Sequence, residues 1–290
     1  MKSGFVPVIG RPNVGKSTLV NSLVGTKVAI TSMRPQTTRN TIRGIVDRPD
    51  LQIVLVDTPG IHRPRTALGD RLNALAAASM AEADACLFVI EATGKIGPGD
   101  RLIAGRLQEA GLATVCIVNK VDAAGPNDVA ERLAVASGWG FAAYVPVSAT
   151  LGANLEPVVS EVAALLPEGP RYFPAGMTSD QANDFLIGEI VREKFLDRLR
   201  DELPHSLAVL IEEVREQDNG VTRVEARVLV ERESQKGIVI GRGGSLLRLA
   251  GTEARAELER RLGTRVHLDL HVAVHKDWQR HPGIVQRLGM

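Results

Sequence analysis

Cysteine is nearly missing, with two in 290 residues, and each sits inside an apolar run, Cys86-Leu-Phe-Val-Ile90 and Val115-Cys-Ile-Val118. Buried strand positions are expected there in place of a disulfide or a metal site, which suits a reducing cytoplasm. Charge of one sign is also missing. The formal net charge is +1, so any nucleic-acid surface must be a local patch and not a property of the whole chain. Aromatics make up 3% of the sequence; Trp139 and Trp278 read as packing anchors. No apolar run approaches the ~18 residues that span a bilayer, and the first residues lack a signal-peptide pattern. No transmembrane segment is expected; peripheral contact with the inner face of a membrane stays open. The six histidines, His62, His205, His267, His271, His275 and His281, are scattered without Cys or acidic partners at metal spacing. There is no internal repeat. The length predicts one or two domains with a sizeable core.

What is present begins at Gly10-Arg-Pro-Asn-Val-Gly15-Lys16-Ser17, which fits G-x-x-x-x-G-K-[ST] at every fixed position. The apolar run at residues 5–9 before it has the length of a buried strand. Residues 18–24 after it have helical spacing, with Leu19, Val20, Leu23 and Val24 on one face. Gly10 and Gly15 let the backbone through Arg11, Pro12, Asn13 and Val14 curl, so that consecutive N–H groups and the helix start at Thr18 face phosphate oxygens. Lys16 would reach the β- and γ-phosphates, and Ser17 offers a hydroxyl to Mg²⁺.

Residues 29–39 form a polar stretch that reads as a functional loop. Strands are expected at residues 43–47 and 51–56, the second ending in Asp57-Thr58-Pro59-Gly60. An Asp at the end of a buried strand suits a Mg²⁺ carboxylate, direct or through water, and Gly60 can bring its N–H to a γ-phosphate. Two later strand ends address the base: Asn119-Lys120-Val121-Asp122 and Ser148-Ala149. A carboxylate at Asp122 accepts from both N1–H and the 2-amino group of guanine, whereas adenine would leave it unpaired at a cost of a few kcal/mol. Asn119 would approach the N7 side, Lys120 would lay its stem along the purine, and the Ala149 N–H would meet O6. Helices at residues 67–83, 100–110, 127–136 and 154–166 alternate with the strands, which implies an α/β domain with a mostly parallel sheet and nucleotide at the strands' carboxyl ends.

With these motifs in order the chain resembles the translation-factor-related GTPases over residues 5–166, which implies a Ras-like P-loop NTPase fold. In that family a residue matching Thr37 or Thr38 closes over Mg²⁺ and the γ-phosphate; Thr38 is favoured because it precedes Arg39. Lys16, Asn13, Thr38 and Gly60 become the expected catalytic group, and Ser17, Thr38 and Asp57 the metal group. The pattern departs at Ile61, where Ras-like proteins carry a water-orienting Gln. The resemblance further implies that Asn13 can support a bound K⁺ where an arginine finger acts elsewhere, with backbone oxygens around Gln36 to Arg39; the alternative is that Asn13 only stabilises the loop and a ribosomal partner completes the site.

Residues 167–176 hold three prolines and two glycines, so the first domain is expected at 1–169, a linker at 170–177 and a second, α+β domain at 178–290. Thr178-Ser-Asp-Gln181 reads as a capping box opening a helix with Phe185, Leu186, Val191, Phe195 and Leu199 on its apolar face. Strands at 206–214 and 221–230 flank the turn Asp218-Asn-Gly220, and a last strand is expected at 266–274. Glu212 and Glu213 read as the solvated end of a strand. Between the strands at 221–230 and 266–274, Gly241-Arg242-Gly243-Gly244 fits G-x-x-G ahead of a helix from Leu246, the arrangement in which a KH module clamps about four nucleotides of single strand. Lys236, Arg242, Arg248, Arg255, Arg260, Arg261 and Arg265 supply a local basic excess. With few aromatics nearby, RNA recognition would rest on apolar contact from Ile238 and Ile240, backbone hydrogen bonds and Arg planes.

A GTPase domain followed by a KH-type RNA-binding domain is similar to the Era family of ribosome-assembly GTPases over nearly the whole chain, with Asn13, Gln36-Thr-Thr-Arg39 and residues 230–236 also matching its motifs. That resemblance implies a cytoplasmic, monomeric GTPase using GTP/GDP and Mg²⁺, which binds small-subunit ribosomal RNA near its 3′ end and assists assembly of the small ribosomal subunit. A passive RNA-binding protein with structural nucleotide is the alternative that multiple-turnover hydrolysis would exclude. A GTP-dependent RNA-modifying enzyme is another, although no Cys or paired-carboxylate constellation follows residue 176.

Overall fold

The computed structural model describes residues 1–32, 34, 37–61, 67–199 and 203–288. Gln36 and His62, both singled out above, lie outside the described residues. The chain divides into two compact units: Met1–Thr31 with Thr38–Asp180, and Ser32–Thr37 with Gln181–Met290.

In the first unit the apolar run before the glycine-rich loop becomes β1 (Lys2–Gly10), buried because it is central in a six-stranded sheet of order β2-β3-β1-β4-β5-β6. The other strands are β2 (Ile42–Arg48), β3 (Leu51–Asp57), β4 (Cys86–Glu91), β5 (Thr114–Asn119) and β6 (Ala143–Pro146). Only β2 runs antiparallel, joined to β3 by the two-residue turn at Pro49 and Asp50. The parallel strands all bring their carboxyl ends to one edge. Period-2 alternation splits the side chains between two cores. Leu87, Val89, Val115 and Ile117 join one, with Val20 from α1 (Lys16–Val24) and Val159 from α5 (Leu155–Leu165). Cys86, Phe88, Ile90, Cys116 and Val118 join the other, with Ala76 from α2 (Ala67–Ala81), Leu107 from α3 (Pro98–Glu109) and Ala136 from α4 (Pro126–Ser137). Each fully buried Val, Leu or Ile contributes roughly 1.5–3 kcal/mol, so both faces of the sheet must be covered for the unit to stand. Both cysteines are free thiols whose pKa burial pushes well up.

The stretch at 170–177 lies within the first unit, fastened to its sheet. Gln52, fully buried in β3, accepts from the Tyr172 and Phe173 N–H groups at 2.8 and 2.9 Å and donates to the Phe173 carbonyl at 3.0 Å. Asp47 accepts from the Gly176 N–H and from Arg171. The expected capping box at Thr178 does not form. The Thr178 carbonyl accepts from Ile45 N–H, and Ser179 Oγ donates to the Arg43 carbonyl, so these groups are committed to β2 and the helix begins five residues later as α6 (Asn183–Leu196).

The second unit is a three-stranded sheet of order β7-β8-β9: β7 (Ala208–Glu216), β8 (Val221–Val230) and β9 (Arg265–Val274). β7 and β8 form the expected hairpin, with Gly220 at φ 74° in its turn; β9 adds in parallel. The first expected strand starts later than anticipated because Ser206 belongs to the short α7 (Leu203–Ser206), its hydroxyl donating to the Leu203 carbonyl. One sheet face carries Val224, Ala226 and Val228. It packs on α6, on α8 (Glu233–Ile240) through Val239, and on α9 (Ser245–Leu262) through Ala250, Ala254 and Leu258. Trp278 anchors a smaller cluster with Leu210 and Leu229, its indole N–H donating to Ser206 O at 2.8 Å, next to α10 (Pro282–Arg287). Trp139 packs against Phe88. Glu212 and Glu213 are exposed within β7.

Candidate functional site

The loop after β1 holds its shape through left-handed residues: Asn13 has φ 66° and Gly15 φ 96°. A Cβ on Gly15 would come within 2.3 Å of Asn119 Nδ2, so glycine is needed there for conformation and for space. Gly60 is equally constrained, since its Cβ would meet Pro12 N at 2.7 Å. The Ile61 N–H donates to Gly10 O at 3.1 Å and Thr58 Oγ1 to Val8 O at 2.9 Å, which ties the stretch after β3 to the first loop. Ile61 itself is buried. Lys16 is buried too, with Nζ donating to the Gly10 and Arg11 carbonyls at 3.2 and 2.9 Å. Burial pushes its pKa down to about 8, against the opposing charge of Asp57. Thr18 is half-buried in the first turn of α1, ahead of the buried Leu19 and Val20.

Next to Lys16 three oxygen-bearing side chains converge. Ser17 Oγ donates to Asp57 Oδ2 at 2.6 Å, Ser17 Oγ and Thr38 Oγ1 are 3.0 Å apart, and Thr38 Oγ1 donates to Asp57 Oδ2 at 3.4 Å. Asp57 is fully buried. Burial raises its pKa, while the Ser17 hydrogen bond, the Lys16 ammonium and Thr38 pull it back. Its Oδ1 finds no hydrogen-bond partner among the described residues. An orphaned carboxylate oxygen beside two hydroxyls is a donor set for a hard, oxygen-preferring cation, so these residues fit Mg²⁺. Of the two threonines, Thr38 joins this cluster, whereas the Thr37 hydroxyl donates to Arg34 O at 2.7 Å. Among the described residues no group of three or more His, Cys, Asp or Glu side chains is placed to hold a metal.

The base motifs meet at the ends of β5 and β6. Asn119 Nδ2 donates to Val14 O at 2.9 Å and its Oδ1 accepts from the Ala149 N–H at 3.0 Å, so one side chain fastens all three loops. Ser148 Oγ donates to Asp122 Oδ1 at 2.5 Å and accepts from the Leu151 N–H at 3.1 Å. Asp122 is thereby held in place by the Ser-Ala motif. Lys120 has φ 65°, and its Nζ donates to Asn13 O at 2.6 Å and Glu91 Oε2 at 2.8 Å. The Val121 N–H bonds the Val147 carbonyl. The structure thus brings residues 10–18, 57–61, 119–122 and 148–149, with Thr38, to one edge of the sheet.

In the second unit Gly241 (φ 75°), Gly243 (φ 58°) and Gly244 (φ 77°) make a tight bend between α8 and α9. Its closing bond is Gly244 N–H to Gly241 O at 3.0 Å. A Cβ on Gly241 would meet Leu246 N at 2.9 Å. Residues 230–236 build the start of α8, where Gln235 Oε1 accepts from the Glu231 and Arg232 N–H groups at 2.9 and 3.1 Å. On α8, Ile238 is exposed while Lys236 and Ile240 are half-buried; Arg242 and Gly243 are exposed in the bend. An open groove of about 450 Å³ continues from Gly244 along α9 to β9. Arg248 and Arg255 line it, and so do Leu247, Gly251, Thr252, Leu268 and Leu270, which the sequence reading did not single out. Those on α9 had a signal, since 247, 248, 251, 252 and 255 fall on one face at helical spacing, and Leu268 and Leu270 share a face of β9 at period two. His267 and His271 are exposed on β9.

Comparison with known proteins agrees with this geometry. Residues 5–120 match the family described as 50S ribosome-binding GTPase, and residues 202–279 match the KH domain family. GTPase Era of Mycobacterium avium is 53% identical over 294 residues, covering 99% of this chain and 98% of the relative. GTPase Era of Nocardioides is 49% identical over 300 residues, covering 99% and 96%. A variant of Aquifex aeolicus Era bound to GDP and AlF4⁻ superposes with a TM-score of 0.94 at 38% identity, covering 100% of this chain and 99% of that one. An Era complex with MgGDPNP and nucleotides 1506–1542 of 16S ribosomal RNA gives 0.92 at 38% identity, again covering 100% and 99%. With a P-loop GTPase unit, a KH unit and relatives of this identity along its full length, the chain belongs to the Era family of GTPases.

Proposed function

We propose that this GTPase is a switch whose second unit grips small-subunit ribosomal RNA near its 3′ end and whose nucleotide state controls that grip during small-subunit assembly. The observation that carries the reading is the groove running from Gly244 past Arg248 and Arg255 to Leu268 and Leu270, in a chain that also holds a complete set of guanine-nucleotide motifs. Single-stranded RNA fits such a groove: the glycine bend admits phosphates close to the backbone, the arginines neutralise them, and Ile238, Leu268 and Leu270 offer apolar surface to bases. The Era complex with 16S ribosomal RNA supports the partner.

In the first unit we assign Lys16 to the β- and γ-phosphates, the N–H groups of residues 11–18 to the phosphate oxygens, and the Gly60 N–H to the γ-phosphate. Ser17, Thr38 and Asp57 would hold Mg²⁺, which when bound neutralises charge on the β- and γ-phosphate oxygens. Asp122 would read guanine and Asn119 would stand at its N7 side, while the Ala149 N–H, which donates to Asn119 Oδ1 at 3.0 Å, would have to share or leave that acceptor to meet O6. The Ile61 side chain has no hydrogen-bonding atom with which to orient the attacking water, so that task falls to another group. Asn13, in the strained left-handed turn of the P-loop, is assigned to a K⁺ that would supply charge stabilisation between the β- and γ-phosphates. The two buried free cysteines support a working life in reducing cytoplasm.

The test uses the full chain and a fragment of the 3′ end of 16S ribosomal RNA. RNA should be retained at least tenfold better with a non-hydrolysable GTP analogue than with GDP, and multiple-turnover hydrolysis should run faster in K⁺ than in Na⁺ at equal ionic strength. Equal retention in both nucleotide states would reduce the protein to a passive binder, and equal rates in both salts would remove the K⁺ assignment.

A further inference from the structure

We propose that Glu91 is a positioning residue for the purine: it pins Lys120 so that the lysine stem is laid out along the base site before nucleotide arrives. The inference rests on the guanine site proposed above and extends it to a residue outside every motif.

Glu91 closes β4 in register with Asn119 on β5. Its carboxylate accepts from Lys120 Nζ at 2.8 Å and stands 3.6 Å from Arg11 Nη2. Lys120 Nζ makes its second bond to Asn13 O at 2.6 Å. Arg11 in turn donates from Nε to Asp100 Oδ1 at 2.6 Å, and Asp100, 1% exposed, accepts the Gly97 N–H at the start of α3 through Oδ2 at 2.9 Å. The Arg11 stem also runs close beside Gly99, where a Cβ would come within 2.9 Å of Arg11 Cδ. The loop that leaves Glu91 is fixed from α4, where Arg132 Nε donates to Gly94 O at 2.6 Å. Charge and backbone therefore form a closed ring: α3, Arg11, Glu91, Lys120 and back to the P-loop at Asn13.

A lysine stem has four rotatable bonds and loses much rotamer freedom when fixed. In this ring that loss is incurred on folding, so a purine docking on the stem does not incur it again. Lys120's left-handed backbone and the two acceptors at its tip fix both ends of the stem. The Glu91–Lys120 pair is partly exposed, at 24% and 27%, so as a prop for the fold it is weak. Positioning is the role its geometry suits.

The experiment measures release of fluorescent GDP, GTP analogue and IDP by stopped flow from the full-length parent, Glu91→Gln, Lys120→Met and the double variant. Glu91→Gln should release all three about fivefold faster and by the same factor, because a stem lying on the ring face does not read exocyclic groups. In the Lys120→Met background the substitution should change nothing further. Parental release rates in Glu91→Gln, or an acceleration of full size that survives in Lys120→Met, overturn the proposal. The parent's preference for GDP over xanthosine diphosphate is measured alongside. Its absence sinks the guanine site and this inference together, whereas preference with unaltered Glu91→Gln release sinks this inference alone.

Discussion

Lys16 holds a charge in a buried place where, among the described residues, two carbonyls and the Asp57 carboxylate receive it. Its pKa in the fold is about 8, against an ordinary 10.5, so between those values the unfolded chain binds more protons and the nucleotide-free protein gains stability as pH rises. Affinity for nucleotide moves the other way, since only the ammonium form pairs with phosphates. GDP binding should weaken by up to tenfold per pH unit above about 8. Calorimetric titration from pH 7 to 10 on the parent and on Lys16→Met checks this; a parental affinity that ignores pH would contradict it. At the base end, Asp122→Asn should weaken GTP binding and favour xanthosine triphosphate, because an amide donates to the 2-oxo group that a carboxylate repels. Titration with both nucleotides decides, and unchanged GTP affinity would remove Asp122 from the site. These residues were legible in the sequence because their geometry is local: eight consecutive positions make the P-loop, and four make the Asn-Lys-x-Asp turn. Glu91 was not legible, since an acidic residue at a strand end has meaning only once β4 and β5 lie side by side.

Among elements, the bend between α8 and α9 offers the cleanest test of the RNA site. Arg242 and Gly243 are exposed, nothing stands within 4 Å of a Cβ on Gly243, and Asp tolerates a φ of 58° better than most residues. Replacing both by Asp should leave the unit folded and put two negative charges where phosphates pass. RNA affinity should fall at least tenfold while GDP affinity stays at the parental value, as read by filter binding and nucleotide titration. Equal RNA affinity would take the bend out of the binding surface. Elements with a strong period, such as α9 and the hairpin of β7 and β8, are visible in the sequence. The stretch at 170–177 and the start of α6 are not. Residues 172–179 are held by Gln52, Asp47 and the Arg43 carbonyl, more than a hundred positions away in the chain, and no local propensity encodes such partners.

At the scale of the whole molecule, the first unit has its own sheet, two cores and every residue assigned to nucleotide. A fragment of residues 1–180 should therefore bind GDP within about threefold of the full chain, measured by calorimetry, and should not retain RNA. Loss of GDP binding in a fragment that keeps native circular dichroism would show that the second unit contributes to the site. The strand order β2-β3-β1-β4-β5-β6 also has a consequence for how this protein is made. β1 is translated first yet sits in the middle, waiting for neighbours on both sides, and the sheet grows outward to β6 as the chain lengthens. The phosphate-cradling loop leaves the ribosome about 105 residues before Asp122, on the order of ten seconds at ordinary elongation rates. During that interval a nascent chain has a triphosphate cradle and no means of telling guanine from adenine; discrimination between purines is the last property its first half acquires.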